Sequence, residues 1–140
     1  MRILITGASG FIGSELTQSL KRQNHDIIEL NKSKKNGGHN INLLCLNDIN
    51  FFLNTIGNID LLIHCAALAH GQKPSRGYNI YSENYTITKN LVISIADKID
   101  NVIFLSSFDI YGIGKKHLKC EPNPVSLYGK SKLDLSLIHI

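Results

Sequence analysis

The chain has 140 residues, of which 43% are hydrophobic and 19% charged, and it carries a formal net charge of +4. That length and balance point to one soluble domain able to bury a core, and no apolar run approaches the ~20 residues a membrane helix needs. Cys45, Cys65 and Cys120 form no C-x-x-C pair and read as reduced thiols of a cytoplasmic protein.

In chain order, Arg2–Thr6 ("RILIT") is a short, β-branched-rich strand that ends at a glycine. From Phe11 to Gln23, Ile12, Leu16 and Leu20 fall at i, i+4 and i+8, which predicts a helix with that stripe inward. Ile27–Leu30 is a second strand. Lys32, Lys34 and Lys35, followed by Gly37-Gly38, lie in what reads as a surface loop. No aromatic residues interleave with these lysines, so a solvated loop is preferred to a nucleic-acid surface.

Ile41–Leu43 is a weak third strand, followed by a helix around Asn47–Thr55 with Ile49, Phe52 and Leu53 inward. Leu61–Cys65 is a fourth strand. Ile80–Ala96 is a long helix with Ile87, Leu91 and Ile95 on one face, and Val102–Leu105 is a fifth strand. A last helix begins near Leu127. Strands alternating with helices through short connections imply parallel pairing and right-handed crossovers. The predicted fold class is therefore α/β: a Rossmann-like, doubly wound parallel sheet.

"TGASGFIG" places Gly7, Gly10 and Gly13 between the first strand and the first helix. In that context Gly7 permits a tight turn, Gly10 lets backbone amides approach a pyrophosphate, and Gly13 lets the helix sit close on the sheet. The candidate cofactor-binding residues of this loop are Gly7, Ser9, Gly10, Phe11, Ile12 and Gly13. Where such folds usually carry an acid for the adenosine ribose, this chain has Asn31, then Lys32. Neutral Asn31 removes repulsion toward a 2′-phosphate and Lys32 could favour one, so NAD and NADP both stay open.

These motifs, taken with "HCAA" after the fourth strand, Asn84 followed by "TKNL", "SSFDIYG" after the fifth strand and "YGKSK", are similar to one family. From Met1 to about Asp134 the chain resembles the extended short-chain dehydrogenase/reductases, the NAD-dependent epimerases and dehydratases of nucleotide sugars. The resemblance implies that Ala66 and Ala67 let the cofactor lie along the strand end and that Asn84 helps order the nicotinamide side. It implies that Ser107 bonds the reacting sugar hydroxyl, Tyr128 is the base and Lys132 grips the nicotinamide ribose. It further implies a nucleotide-sugar substrate and a full-length homodimer, with no nucleic acid, membrane or metal.

The physical case for the last three residues stands beside the resemblance. A free phenol titrates near ~10, so a tyrosine base needs its anion stabilised. Lys132 lies one helical turn after Tyr128 and can supply that charge. Ser107 lies at the carboxyl end of a central strand, where doubly wound sheets bind ligands. Blander readings are a solvated lysine on an amphipathic helix start and, for Ser107, a turn or capping serine. His64, in "HCAA", is read as packed and hydrogen-bonded, and with Cys65 and His70 it makes no sensible metal set.

The departures narrow the activity. Family dehydratases place threonine, aspartate and glutamate ahead of a "VYG"-like tripeptide, where this chain has Ser107, Phe108 and Asp109. Phe108 cannot donate a proton, which favours an epimerase, or a keto-sugar reductase, over elimination. A dinucleotide-binding relative without catalysis is a further reading. Acids that many relatives carry after the third strand appear here as Asn42 and Cys45, which puts the adenine contacts in question.

Two expectations concern the chain's extent. Residues 1–134 read as an incomplete dinucleotide-binding domain whose family continues into a sugar-binding region; alone it is expected to be poorly soluble or to bind cofactor weakly, and to lack turnover. Leu135–Ile140 ("LSLIHI") is what CTGTCTCTTATACACATC encodes, a transposon mosaic end used in sequencing libraries, and so reads as a non-native tail.

Overall fold

A computed structural model describes residues 1–32, 38–69, 71–96, 98–99, 101–112 and 121–138. Ser33, Lys34, Lys35, Gly37, His70 and Cys120 fall outside them. The chain divides into two compact units, Met1–Ala67 with Asn90–Leu105, and Leu68–Lys89 with Ser106–Ile140.

The first unit holds one parallel five-stranded sheet: β1 (Arg2–Thr6), β2 (Asp26–Asn31), β3 (His39–Asn40), β4 (Leu61–His64) and β5 (Val102–Phe104), in the order β3-β2-β1-β4-β5. The chain builds outward from β1 in one direction and then, from β4, in the other. The switch between β1 and β4 is where folds of this class bind ligands. Successive β1 residues Ile3, Leu4 and Ile5 are all at most 1% exposed, although neighbours along a strand point to opposite faces. Both faces of the sheet centre are therefore covered.

Helix α1 (Phe11–Arg22) closes over Ile3, Ile5, Ala8 and Ile63, with Leu16 and Leu20 packed against that cluster. The stripe differs from the expected one. Ile12 is 53% exposed, and the inward positions are Gly13, Leu16, Thr17 and Leu20. The helix start rests on the chain before it, so only a glycine fits there. The helix ends at Asn24, in the left-handed region at φ 61°, where Asn24 N–H donates to Lys21 O and His25 N–H to Leu20 O. That pair of bonds is the Schellman closure of a helix.

Helix α2 (Leu46–Ile56) buries Ile49, Phe52, Leu53 and Ile56, carries Asp48 in its first turn and stops at Gly57, φ 70°. The expected third strand at Ile41–Leu43 is displaced. Pairing with β2 occurs at His39–Asn40, while Asn42 Oδ1 turns back to accept Leu44 N–H at 3.1 Å. A buried Leu43 carried the apolar signal without being in the ladder.

Helix α3 (Ile80–Ile95) is shared between the two units, and its Ile87, Leu91 and Ile95 are buried as expected. Asn79 caps it: Oδ1 accepts Ser82 N–H at 2.8 Å, and Ser82 Oγ accepts Asn79 N–H at 2.9 Å. The second unit adds a 3₁₀ turn (Phe108–Tyr111) and helix α4 (Leu127–Ile138), which runs on past Asp134 with Leu135 1% exposed. Among the described residues no helix is long and apolar enough to cross a membrane.

Ile49 is fully buried and Phe51 is 73% exposed on the same helix. Ile49→Ala is expected to lower the unfolding free energy by about 2–5 kcal/mol. Phe51→Ala should change it by less than about 0.5 kcal/mol, both read from urea unfolding.

Candidate active site

In the first unit, the loop after β1 is built by close contact. Gly7 has φ +67°, and a Cβ there would lie 2.8 Å from Ala66 Cα. A Cβ on Gly13 would fall on the Gly7 carbonyl oxygen and 2.9 Å from Ala8 Cα. Neither position accepts a side chain. Gly10 differs: its φ −78°, ψ 173° suits any residue, and a Cβ would meet only Gly7 O, at 3.2 Å. A side chain there would need the Gly7 carbonyl to give by a few tenths of an ångström, a smaller demand than at Gly7 or Gly13.

Gly10 is also the N-cap of α1, and no side chain caps the helix. First-turn amides of a helix need acceptors, and an anion suits them. The loop's shape and donors thus fit a pyrophosphate. Phe11, 91% exposed, and Ile12 stand beside it. Asn31 is 1% exposed and its Oδ1 accepts Ser9 N–H at 2.7 Å, so its carboxamide braces the loop. Lys32 is exposed. Ala66 N–H donates to Thr6 Oγ1 at 3.2 Å, and Thr6 Oγ1 lies 2.6 Å from His64 Nδ1. His64 is 2% exposed and stacks on Phe104, as a packed histidine does. Among the described residues no group of three or more His, Cys, Asp or Glu is placed to hold a metal ion.

In the second unit, α4 carries Tyr128 and Lys132. Lys132 is 2% exposed, with Nζ 5.8 Å from the centroid of the Tyr128 ring. Burial of a lysine beside a phenol places positive charge against the ring in a setting where water screens it less. The four-residue spacing puts the two side chains beside one another on α4. Ser107 lies in extended backbone three residues past β5, where it caps the 3₁₀ turn, and its Oγ accepts Asp109 N–H at 3.2 Å. The capping role is real, and it uses one lone pair while leaving the hydroxyl proton to donate elsewhere.

Asn84, 1% exposed, is the polar centre of this unit. Its Oδ1 accepts Leu68 N–H at 2.7 Å, and its Nδ2 donates to Leu68 O at 3.0 Å and to Ser131 Oγ at 3.3 Å. Ser131 Oγ donates onward to Tyr128 O at 2.7 Å. Asn84 thereby joins the segment after Ala67 to the helix that carries the Tyr–Lys pair. Glu83, also buried, accepts from the Ser75 amide and, at 3.1 Å, from its hydroxyl, holding the following loop. Tyr81 donates to Asp134 Oδ2 at 2.6 Å, and that hydrogen bond, with burial, raises the Tyr81 phenol above its ordinary range. The sequence carries no signal for the supporting roles of Ser126, Ser131, Glu83 and Asp109, because the contacts Asp109–Ser126 and Asn84–Ser131 join residues 17 and 47 positions apart.

The model of the NAD-dependent epimerase/dehydratase family matches residues 3–138, and the chain belongs to that family. It is 33% identical over 147 residues to a UDP-glucose 4-epimerase of Vibrio cholerae, covering 93% of this chain and 43% of that protein. It is 31% identical over 129 residues to a UDP-glucose 4-epimerase of Klebsiella pneumoniae, covering 80% of this chain and 93% of that sequence. The fold matches the UDP-glucose 4-epimerase of Bifidobacterium longum solved with NAD⁺ and UDP, with a TM-score of 0.84, 23% identity and coverage of 99% of this chain and 48% of that one. Against the Vibrio and Bifidobacterium proteins, this chain spans a little under half the length.

Removing the Asn84 carboxamide leaves the Leu68 N–H and C=O without these partners. Asn84→Ala is expected to cost about 2–3 kcal/mol of stability, measured by urea unfolding. Asn84→Asp should cost at least as much, because it sets a second acceptor against the Leu68 carbonyl.

Proposed function

We propose that the full-length protein is an NAD(P)-dependent, epimerase-type oxidoreductase acting on a nucleotide sugar. The observation that carries this reading is the buried Lys132 over the Tyr128 ring, in a chain of the epimerase/dehydratase family. Residues 1–134 would form the dinucleotide-binding part. A cytoplasmic homodimer is the assembly this reading favours.

Gly7, Ser9, Gly10, Phe11, Ile12 and Gly13 would hold the pyrophosphate by backbone amides at the start of α1, with Ala66 and Ala67 offering no bulk at the β4 end. Asn31 and Lys32 would lie toward the adenosine ribose. The cofactor, when bound, supplies a hydride acceptor that can also return the hydride. Ser107 would donate its hydroxyl proton to the sugar oxygen and orient it, while Tyr128 withdraws the carbinol proton. Lys132 would favour the phenolate by its charge and also hold the nicotinamide ribose. Once the keto-sugar has turned so that the hydride returns to its opposite face, return of the proton from Tyr128 to the sugar oxygen completes an epimerisation, and Asn84 would keep the nicotinamide side ordered through Leu68 and Ser131.

A keto-sugar reductase would use the same residues in one direction and consume reduced cofactor stoichiometrically. Exposed Phe108, at the position where family dehydratases carry an acid, speaks against elimination.

In the full-length protein, Tyr128→Phe is expected to lower turnover of a nucleotide sugar by at least about a hundredfold while leaving the fold intact. Turnover equal to the parent would remove the catalytic assignment. Steady loss of NAD(P)H absorbance in step with product would replace the epimerase reading by the reductase.

A further inference from the structure

Asp109 belongs neither to the phosphate loop nor to the Tyr128–Lys132 pair, yet hydrogen bonds from both sides of the proposed proton-handling set converge on it. Its N–H donates to Ser107 Oγ at 3.2 Å. Its carboxylate Oδ2 accepts the hydroxyl proton of Ser126 in a short bond, and Ser126 Oγ accepts Gly129 N–H at 2.8 Å. Ser126 is the N-cap of α4, and giving its proton to Asp109 leaves an Oγ lone pair aimed at the Gly129 amide.

The contact is also steric. A Cβ on Gly129 would lie 2.6 Å from Asp109 O and 3.1 Å from Asp109 Oδ2, so the first turn of α4 rests directly on this residue. Asp109 O accepts Gly112 N–H at 3.2 Å, and Ile110 O accepts Asn123 N–H at 2.9 Å, which secures the 3₁₀ turn and the incoming strand of chain. Tyr128 sits between the two ends of the cap, Ser126 and Gly129.

We infer that Asp109 is a positioning residue: its carboxylate orients the Ser126 cap and thereby fixes Tyr128 relative to Ser107. The inference rests on the roles proposed above for Ser107 and Tyr128. Asp109 stands where family dehydratases carry a glutamate, but its oxygen here serves the helix cap and transfers no proton. An acceptor oxygen, and no acid–base chemistry, is what the position requires.

The test uses Asp109→Ala, Asp109→Asn, Ser126→Ala and the double Asp109→Ala/Ser126→Ala in the full-length protein. Asp109→Ala should lower kcat by about a hundredfold, with KM for the sugar nucleotide within about threefold. Asp109→Asn keeps an acceptor oxygen and should restore at least about tenfold of that loss. The double variant should be no slower than the slower single one, because both break one linkage. Asp109→Asn as slow as Asp109→Ala, or losses that multiply in the double variant, would overturn the inference. If the parent turns over no nucleotide sugar, the proposed function fails, and hydrogen exchange at the Gly129 amide decides the positioning role alone. That exchange should quicken by about tenfold in Asp109→Ala and not in Asp109→Asn; no change in Asp109→Ala would overturn it.

Discussion

The first unit depends on one close contact: the start of α1 resting on the carbonyl of Gly7 while Gly7 itself rests on Ala66. Side chains at Gly7 or Gly13 would separate β1, β4 and α1, which together with the loop residue Ala8 enclose the core cluster of Ile3, Ile5 and Ile63 under Leu16 and Leu20. Because helix and strand meet there without side chains between them, the helix start is left with amide donors and a backbone cradle. Asn31 adds rigidity by holding Ser9, which makes it part of the loop's frame as well as a candidate for the ribose end. A geometric demand of packing thus leaves a backbone cradle whose donors suit an anion.

The second unit is held by polar side chains. Asn84 satisfies both backbone groups of Leu68 and reaches Ser131, Glu83 restrains Ser75, and Ser126 caps α4 with its proton on Asp109. Such networks are stabilising only when their members are satisfied together, and they specify one arrangement where an apolar core would tolerate several. Such precision suits the proton-transfer role proposed for Tyr128, because that role needs the phenol within hydrogen-bond reach of its target.

Much of this was legible in the chain itself. Short apolar runs mark β1, β2, β4 and β5, and apolar residues spaced three and four apart mark α2 (Ile49, Phe52, Leu53) and α3 (Ile87, Leu91, Ile95), because both signals are local. The third strand was misplaced because Leu43 is buried from a turn, while the pairing residues, His39 and Asn40, are polar and exposed. Ile12 was assigned inward by its hydropathy, but the loop's tight packing rotates Gly13 inward and leaves Ile12 outside. Tyr128 and Lys132 could be paired from spacing alone; the partnership of Asp109 with Ser126 spans seventeen residues and leaves no periodic trace.

Gly10 separates what the fold needs from what a ligand needs. Its backbone suits any residue, its added Cβ would meet one oxygen, and its lack of a capping group leaves first-turn donors for an anion. A serine there would supply the missing cap and compete for those donors. Equilibrium titration with NAD of the protein and of Gly10→Ser, with thermal melts of both without cofactor, tests the dinucleotide loop most directly. The account predicts that Gly10→Ser, whose new cap offsets the crowding of the Gly7 carbonyl, still melts as one cooperative transition near the parent temperature and binds NAD at least about tenfold more weakly. Parent-like NAD affinity in Gly10→Ser would contradict it.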